Sequence, residues 1–129
     1  RALNHILKKD DDIDFNIIPA AVFTHPELAM VGPTEEQLTA SGLPYTVHKA
    51  YYRSNGKALS MGKQAEDGIV KMLVSPDGSV LACHIMGEHA SDLIHEATLL
   101  IKNKNTIRQL GDTIHAHPSL SEIFLSLFH

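Results

Sequence analysis

The chain has 129 residues, of which 43% are hydrophobic, and its formal net charge is −4 with neutral histidines. This length and composition fit one globular domain and exclude wholesale disorder. Because lysine and arginine form no run, and no apolar stretch reaches the roughly 20 residues that cross a bilayer, neither nucleic acids nor membranes are expected partners.

The first 14 residues predict the end of a helix and a connector. Residues 1–9 (RALNHILKK) are typical of a helix that is entered from upstream, and residues 10–14 (DDDID) resemble a solvated acidic linker more than a metal loop. We therefore assign residues 1–14 to an incoming helix end with its connector and residues 15–129 to one C-terminal domain.

The next part of the chain predicts strands around a capped helix. Ile17–Phe23 and Leu28–Val31 are short apolar runs of strand type, separated by a turn. A helix should begin at Thr34, because its hydroxyl and the side chain of Gln37 can cap each other's backbone N–H groups. Tyr45–Tyr52 is rich in aromatic and β-branched residues, which again predicts a strand.

The middle of the chain predicts a loop and a hairpin. Arg53–Asp67 has no clear period, so we expect a long loop that contains an irregular strand. Ile69–Val74 and Val80–Met86 are strands joined by a short turn, in which Gly78 can adopt positive φ.

The last third predicts helices. Apolar residues recur at helical spacing from Ala90 to Ile101, and their members Leu93 and Leu100 fit either a core or an interface. Thr106–Asp112 predicts a short helix, residues 114–118 an extended segment, and Ser119–Phe128 a final helix. This order of elements predicts the α+β class, an antiparallel β-sheet with helices packed on one face.

Several motifs of redox and nucleotide chemistry are missing from the sequence. It contains no GxGxxG, P-loop, GxSxG or CxxC motif. The lone cysteine, Cys83, cannot form an internal disulfide; it is typical of a reducing compartment, hence a cytoplasmic location, and of a small buried residue. The chain by itself therefore does not predict an independent redox enzyme.

The nine histidines include one close pair, His115 and His117. Alternate residues of an extended segment share a face, so the two rings could converge on a metal. No cysteine or carboxylate at ligand spacing completes such a site, and we predict no metal. The remaining histidines are expected to be surface or structural residues: His5, His25, His48, His84, His89, His95 and His129.

The segment from His117 to Glu122 allows two interpretations. A sharp turn at Pro118 could bring the Glu122 carboxylate against the imidazole, where it would fix the tautomer and favour protonation, as in a general acid/base. Alternatively, Ser119 and Glu122 form a capping box, and the spacing alone favours this cap. The contact that Glu122 makes distinguishes the two.

Four stretches in order resemble one known family. They are residues 24–29 (THPELA), 34–38 (TEEQL), 85–90 (IMGEHA) and 115–122 (HAHPSLSE). Together they resemble the C-terminal interface domain of the pyridine nucleotide-disulfide oxidoreductases, especially the dihydrolipoamide dehydrogenase branch. The resemblance covers nearly the whole chain beyond the acidic connector.

The resemblance implies a function for the whole protein. It implies the dimerisation-domain fold of FAD/NAD-linked reductases and a homodimer, in which His117 and Glu122 serve as an acid/base pair in the partner subunit's dithiol/disulfide active site. Upstream domains, absent here, would hold FAD and NAD, a lipoyl-type dithiol would be the substrate, and the backbone of His117 and Pro118 would lie near the partner's flavin. It also implies a cis His117–Pro118 bond, which proline permits. The isolated chain is expected to be inactive.

Three alternatives remain open from the sequence. The chain could be a stand-alone, non-catalytic dimerisation module, or the same domain of another disulfide reductase such as glutathione reductase. It could also be a small metal-binding protein that uses its histidines. The pair of His115 and His117 favours the dihydrolipoamide dehydrogenase branch.

Overall fold

The computed structural model describes residues 2–128, and its framework is one antiparallel sheet of five strands in the order β1-β2-β5-β4-β3. In register, Met72 of β4 lies opposite Cys83 of β5. The expected α+β class with an antiparallel sheet is confirmed. The strands are β1 (Ala20–Val22), β2 (Leu28–Val31), β3 (Thr46–Tyr51), β4 (Ile69–Val74) and β5 (Val80–Met86).

Six short or medium α-helices and two 3-10 segments connect or cover the strands of the described chain. The longest is α5, with 13 residues. None of the helices within residues 2–128 is long and apolar enough to cross a membrane. The helices are α1 (Ala2–Ile6), α2 (Glu35–Ala40), α3 (Gly56–Ser60), α4 (Lys63–Glu66), α5 (Ala90–Lys102) and α6 (Ile107–Gly111), with a 3-10 turn at Tyr52–Ser54 and a C-terminal 3-10 helix at Leu120–Phe128.

Reciprocal capping boxes start α2 and α6. At α2, Thr34 Oγ1 accepts from the N–H of Gln37 at 3.1 Å, and Gln37 Oε1 accepts from the N–H of Thr34 at 2.9 Å. Thr106 and Gln109 repeat the arrangement at α6. Each box satisfies two N–H groups that a helix start leaves without partners, so the helix start that the sequence predicts at Thr34 is confirmed.

The main core lies between one face of the sheet and the helices α5, α3, α4 and α6 with the C-terminal 3-10 helix. From α5, Leu93 is buried in this core, and Leu100 is partly buried and packs against the edge of the core. Cys83 is fully buried in β5, and burial raises the pKa of its thiol to about 12. It is the small buried residue that the sequence predicts.

The opposite face of the sheet is covered only in part. Leu38 of α2 packs there on Leu73 and Ala82 at one end. Because α2 packs on this face, the helices do not all lie on one face of the sheet, as the sequence predicts they would. Beyond the contacts of Leu38, this face of the sheet keeps apolar side chains that are partly exposed to solvent: Val22, Met30, Val47, Tyr51 and Met86.

Two predicted elements are corrected. The predicted loop Arg53–Asp67 contains α3 and α4, whose four or five residues are too few to show a hydrophobic period; Ala58 and Ala65 anchor them in the core. The predicted strand Ile17–Phe23 pairs only over Ala20–Val22. The predicted final helix is present as a 3-10 helix at Leu120–Phe128.

Tyr52 is a packing centre at the ends of three strands. The ring is fully buried, and its hydroxyl donates to the carbonyl of Glu88 at 2.8 Å. A Cβ on Gly68 would lie 2.4 Å from Tyr52 Cγ, and one on Gly87 would lie 2.7 Å from Cζ. Since real Cβ atoms do not approach so closely, both positions need glycine as long as the ring is there.

Candidate functional site

The extended segment between α6 and the C-terminal 3-10 helix presents His117. The His117–Pro118 peptide bond is cis, as the family resemblance implies. Both side chains are exposed, and that of His117 is 80% accessible to solvent. Glu122 follows in the first turn of the 3-10 helix. The turn at Pro118 thus places the two predicted site residues on adjoining parts of one short stretch.

His117 and Glu122 form a hydrogen-bonded pair. The ring Nδ1 lies 3.0 Å from Glu122 Oε2 and 3.1 Å from Oε1. Because a carboxylate only accepts, this contact places the proton on Nδ1 and leaves Nε2 as the free nitrogen when the ring is neutral. No residue between 2 and 128 forms a hydrogen bond with Nε2.

Glu122 also performs half of the predicted capping function. Its Oε1 accepts from the backbone N–H of Ser119 at 2.9 Å. The other half of a capping box is missing, because Ser119 Oγ is buried without a partner among the described residues. Both contacts predicted for Glu122 are therefore present, since one carboxylate binds the backbone N–H of Ser119 and the imidazole of His117.

The electrostatics keep Glu122 ionised. The Ser119 N–H and then the His117 ring lower the pKa of the Glu122 carboxyl below its ordinary value of 4.5. A carboxylate held by a backbone donor has a fixed orientation, and it stabilises a protonated imidazole when one forms. The pair can therefore accept a proton at Nε2 and return it, which is general acid/base chemistry.

His115 points into a different environment from His117. Its side chain is only 6% exposed; Nε2 lies 2.6 Å from Glu96 Oε1, and Nδ1 lies 3.0 Å from the carbonyl of Thr113. The suggestion that the two rings converge is therefore wrong. Within residues 2–128 no group of three or more His, Cys, Asp or Glu is arranged to hold a metal ion.

Asn55 is a site residue that the sequence analysis missed. It is 6% exposed, its Oδ1 accepts from the N–H of Ala58 at 2.9 Å, and its Nδ2 donates to the carbonyl of Ser119 at 3.1 Å. The same amide thus caps α3 and holds the residue that follows Pro118. With His117 and Glu122, Asn55 lines a polar cleft.

The other described histidines agree with the structural or surface assignment. His48 Nδ1 binds the carbonyl of Leu127 at 2.8 Å, and His89 pairs with Asp92 on the exposed side of α5. Burial and then Lys71 lower the pKa of His84. The exposed residues of this set are His5, His25, His89 and His95, whereas His129 lies outside the described residues.

The chain matches one family over most of its length. The family described as pyridine nucleotide-disulphide oxidoreductase, dimerisation domain, matches residues 18–127. Similar curated proteins include a dihydrolipoyl dehydrogenase of Synechocystis, 41% identical over 95% of this chain and 26% of that protein. Another is the chloroplastic dihydrolipoyl dehydrogenase 2 of Arabidopsis thaliana, 39% identical over 98% of this chain and 23% of that protein.

Two solved structures illustrate the similarity of the fold. LpdA from Mycobacterium tuberculosis has a TM-score of 0.84 and 27% identity, over 98% of this chain and 28% of its own. The HOCl-induced flavoprotein disulfide reductase RclA from Escherichia coli has a TM-score of 0.88 and 25% identity, over 98% of this chain and 29% of its own. The chain thus spans about a quarter of the length of the curated relatives it matches.

Proposed function

Because this chain belongs to the dimerisation-domain family of the pyridine nucleotide-disulphide oxidoreductases, we propose that it is the interface domain of a dihydrolipoyl dehydrogenase. In this proposal, residues 15–129 form that domain, residues 1–14 lead into it from upstream FAD and NAD domains, and His117 with Glu122 completes the active site of the partner subunit in a homodimer.

One observation carries the proposal: an exposed imidazole is oriented by an ionised carboxylate and has a free Nε2. His117 is the exposed member and Glu122 the orienting one. A structural histidine is more often enclosed with both nitrogens engaged, as His115 is. A ring fixed from behind and open in front is suited to a substrate that arrives from another subunit.

The proton chemistry of a dithiol suits this pair. When a dithiol becomes a disulfide, it releases two protons and two electrons. His117 would take a proton at Nε2 from one thiol, so that the resulting thiolate can attack the enzyme's disulfide, and Glu122 would stabilise the imidazolium. In the reverse direction, the imidazolium would return the proton to a leaving thiolate.

FAD and NAD would be held mainly by the upstream domains. This chain has no glycine-rich phosphate loop to hold either of them, but the exposed backbone at His117 and Pro118 is free to lie against a flavin of the partner. When bound, the two cofactors would carry the electron pair from the reduced enzyme disulfide to the nicotinamide. The residues of this chain would contribute proton transfer and orientation.

Exposed apolar residues in the segment before His117 and on α5 support a homodimer. Ile114, directly before His115, is 97% exposed, and Leu99 is exposed on α5 one turn after Glu96. Burying an isoleucine stabilises a contact by about 1.5–3 kcal/mol. The burial of this surface would stabilise a homodimer, in which His117 of one subunit would lie at the disulfide of the other subunit.

The proposal is tested with the full-length protein that carries this chain. We expect His117→Gln to lower kcat for dihydrolipoamide oxidation by about 10²–10⁴-fold, the range for loss of a general acid/base, while flavin remains bound. His95→Gln changes another exposed histidine and should leave kcat unchanged. Turnover of His117→Gln equal to that of the wild type would reject the catalytic assignment.

Mixed dimers test whether the pair acts across the interface. Subunits with His117→Gln are combined with subunits whose upstream redox cysteines are replaced by serine. Each mixed dimer then has one site with an intact disulfide facing an intact His117, so activity should return on mixing two inactive proteins. If mixing restores no activity in dimers shown to be mixed, the pair does not serve the partner subunit.

Substrate choice and location complete the proposal. Turnover of glutathione disulfide in place of dihydrolipoamide would assign the chain to the alternative reductase, and a colourless full-length protein without flavin would favour a dimerisation module.

We also propose a cytoplasmic location, supported by the free and buried thiol of Cys83. Cell fractionation followed by immunodetection tests that location against the chloroplast and mitochondrion, which are named for some relatives.

A further inference from the structure

The ring of His115 has an acceptor at each nitrogen. Glu96 Oε1 lies 2.6 Å from Nε2, and the carbonyl of Thr113 lies 3.0 Å from Nδ1. The contact with Glu96 is the shorter of the two, and it links the ring to helix α5.

The contact between His115 and Glu96 connects a loop to a helix that is packed on the sheet. Glu96 belongs to α5, whose residues Ala90, Leu93, Ile94 and Ala97 are buried. Ile114 and Ala116 are exposed on either side of His115, whereas the side chain of His115 is only 6% exposed. The contact with Glu96 therefore anchors the segment to α5 two residues before His117.

The residues that follow His117 are held by a second set of bonds. Asn55 donates to the carbonyl of Ser119 at 3.1 Å, and the N–H of Ser119 donates to Glu122 at 2.9 Å. His117 thus lies between two anchored points, two residues after His115 and two residues before Ser119. On this geometry, and resting on the proposed function of His117, we propose that His115 and Glu96 are positioning residues for the His117 imidazole.

A positioning function makes a specific demand on kinetics. A catalytic group displaced by about 1 Å can lose on the order of a hundredfold in rate, although substrate binding hardly changes. Loss of the contact between His115 and Glu96 should therefore lower kcat for the dithiol and leave KM nearly unchanged. Reduction of the flavin by NADH, which requires no proton transfer from the dithiol, should proceed at the wild-type rate.

The test uses three variants of the full-length flavin-bound protein. Glu96→Ala should lower kcat for dihydrolipoamide by about tenfold or more, within the range for a displaced catalytic group. Glu96→Gln keeps an acceptor for Nε2 and should recover part of the loss. The matched control is Asp92→Asn, which removes the carboxylate of an exposed His–Asp pair on the same helix and should change nothing.

A double-mutant cycle and the pH profile separate positioning from general stability. If His115 and Glu96 act together, the double variant His115→Ala/Glu96→Ala should be no slower than the slower single variant. The pH profile of kcat/KM should also move in Glu96→Ala, because the contact between His117 and Glu122 would be altered. Asp92→Asn should keep the wild-type profile.

The outcomes distinguish this inference from the proposed function. Wild-type turnover in His117→Gln overturns the proposed function, whatever Glu96→Ala does. Loss in His117→Gln together with wild-type kcat in Glu96→Ala overturns only the positioning inference. An equal loss of dithiol turnover and of flavin reduction by NADH in Glu96→Ala and Glu96→Gln also overturns it, because the effect is then on the whole protein.

Discussion

Replacement of Asn55 should measure how strongly the site segment is tied to the body of the domain. The side chain contributes a cap to α3 and a hydrogen bond to the carbonyl of Ser119. Losing an asparagine cap costs about 1 kcal/mol, and losing a buried hydrogen bond costs about another 1 kcal/mol. With a small cavity in addition, Asn55→Ala should destabilise the protein by roughly 2–3 kcal/mol.

A second variant divides this total. Asn55→Ser keeps an oxygen that can cap α3 and removes only the donor to Ser119, so it should cost about 1 kcal/mol. The assay is urea unfolding of the wild type and both variants, followed by circular dichroism, with equal slopes as the check that only stability changed. Equal stability of the alanine and serine variants would refute the cap, and a loss below about 0.5 kcal/mol for alanine would refute both contributions.

Four further predictions address other parts of the molecule. Gly68→Ala should destabilise it by roughly 2–3 kcal/mol in urea unfolding, because its Cβ would overlap the buried Tyr52 ring at 2.4 Å. The Cys83 thiol, with its pKa raised to about 12, should not react with a thiol reagent in the native protein and should cost stability above pH 9.0, where only the unfolded chain ionises readily. Because its pKa is lowered, Glu122 stabilises the fold above its ordinary pKa of 4.5 and loses this effect as pH falls further, so Glu122→Gln should be less stable than the wild type at about pH 7 and nearly equal to it at about pH 2. Ile114→Ser should weaken the proposed dimer in sedimentation experiments, by about 1.5–3 kcal/mol for each isoleucine buried in the proposed interface.

Each of these four has a contrary result. A wild-type midpoint for Gly68→Ala would mean that the Tyr52 ring moves without cost. Rapid labelling of Cys83 in the native state would contradict its burial, and the same deficit of Glu122→Gln at both pH values would show that its charge is not what stabilises. An unchanged dimer constant for Ile114→Ser would place the interface elsewhere.

Local signals in the sequence predict much of the fold correctly. The Thr34/Gln37 spacing predicts a capping box that the structure contains, and the hairpin Ile69–Val74 with Val80–Met86 has the predicted strand bounds. These elements depend on residues close together in the chain, where spacing and side-chain chemistry determine the outcome. The helices α3 and α4 escape prediction because four or five residues show no period, and their stability comes from packing.

The candidate site shows the same difference between local contacts, which the sequence predicts, and long-range contacts, which it does not. His117 and Glu122 are five residues apart, and their pairing follows from a local turn. The bond from His115 to Glu96 spans 19 residues and the bond from Asn55 to Ser119 spans 64, so no local spacing predicts either. Only the tertiary fold brings α3 and α5 to the two ends of the segment that carries His117.

The contact of Tyr52 with Gly68 and Gly87 also limits how the sequence can diverge. Because one ring occupies the space beside both glycines, an alanine at either position is tolerated only after the ring has become smaller. The order of substitutions is thereby constrained: a shorter side chain at position 52 must come first. Among distant homologues, these three positions should therefore covary, with alanine or serine at 68 or 87 restricted to those that lack an aromatic residue at 52.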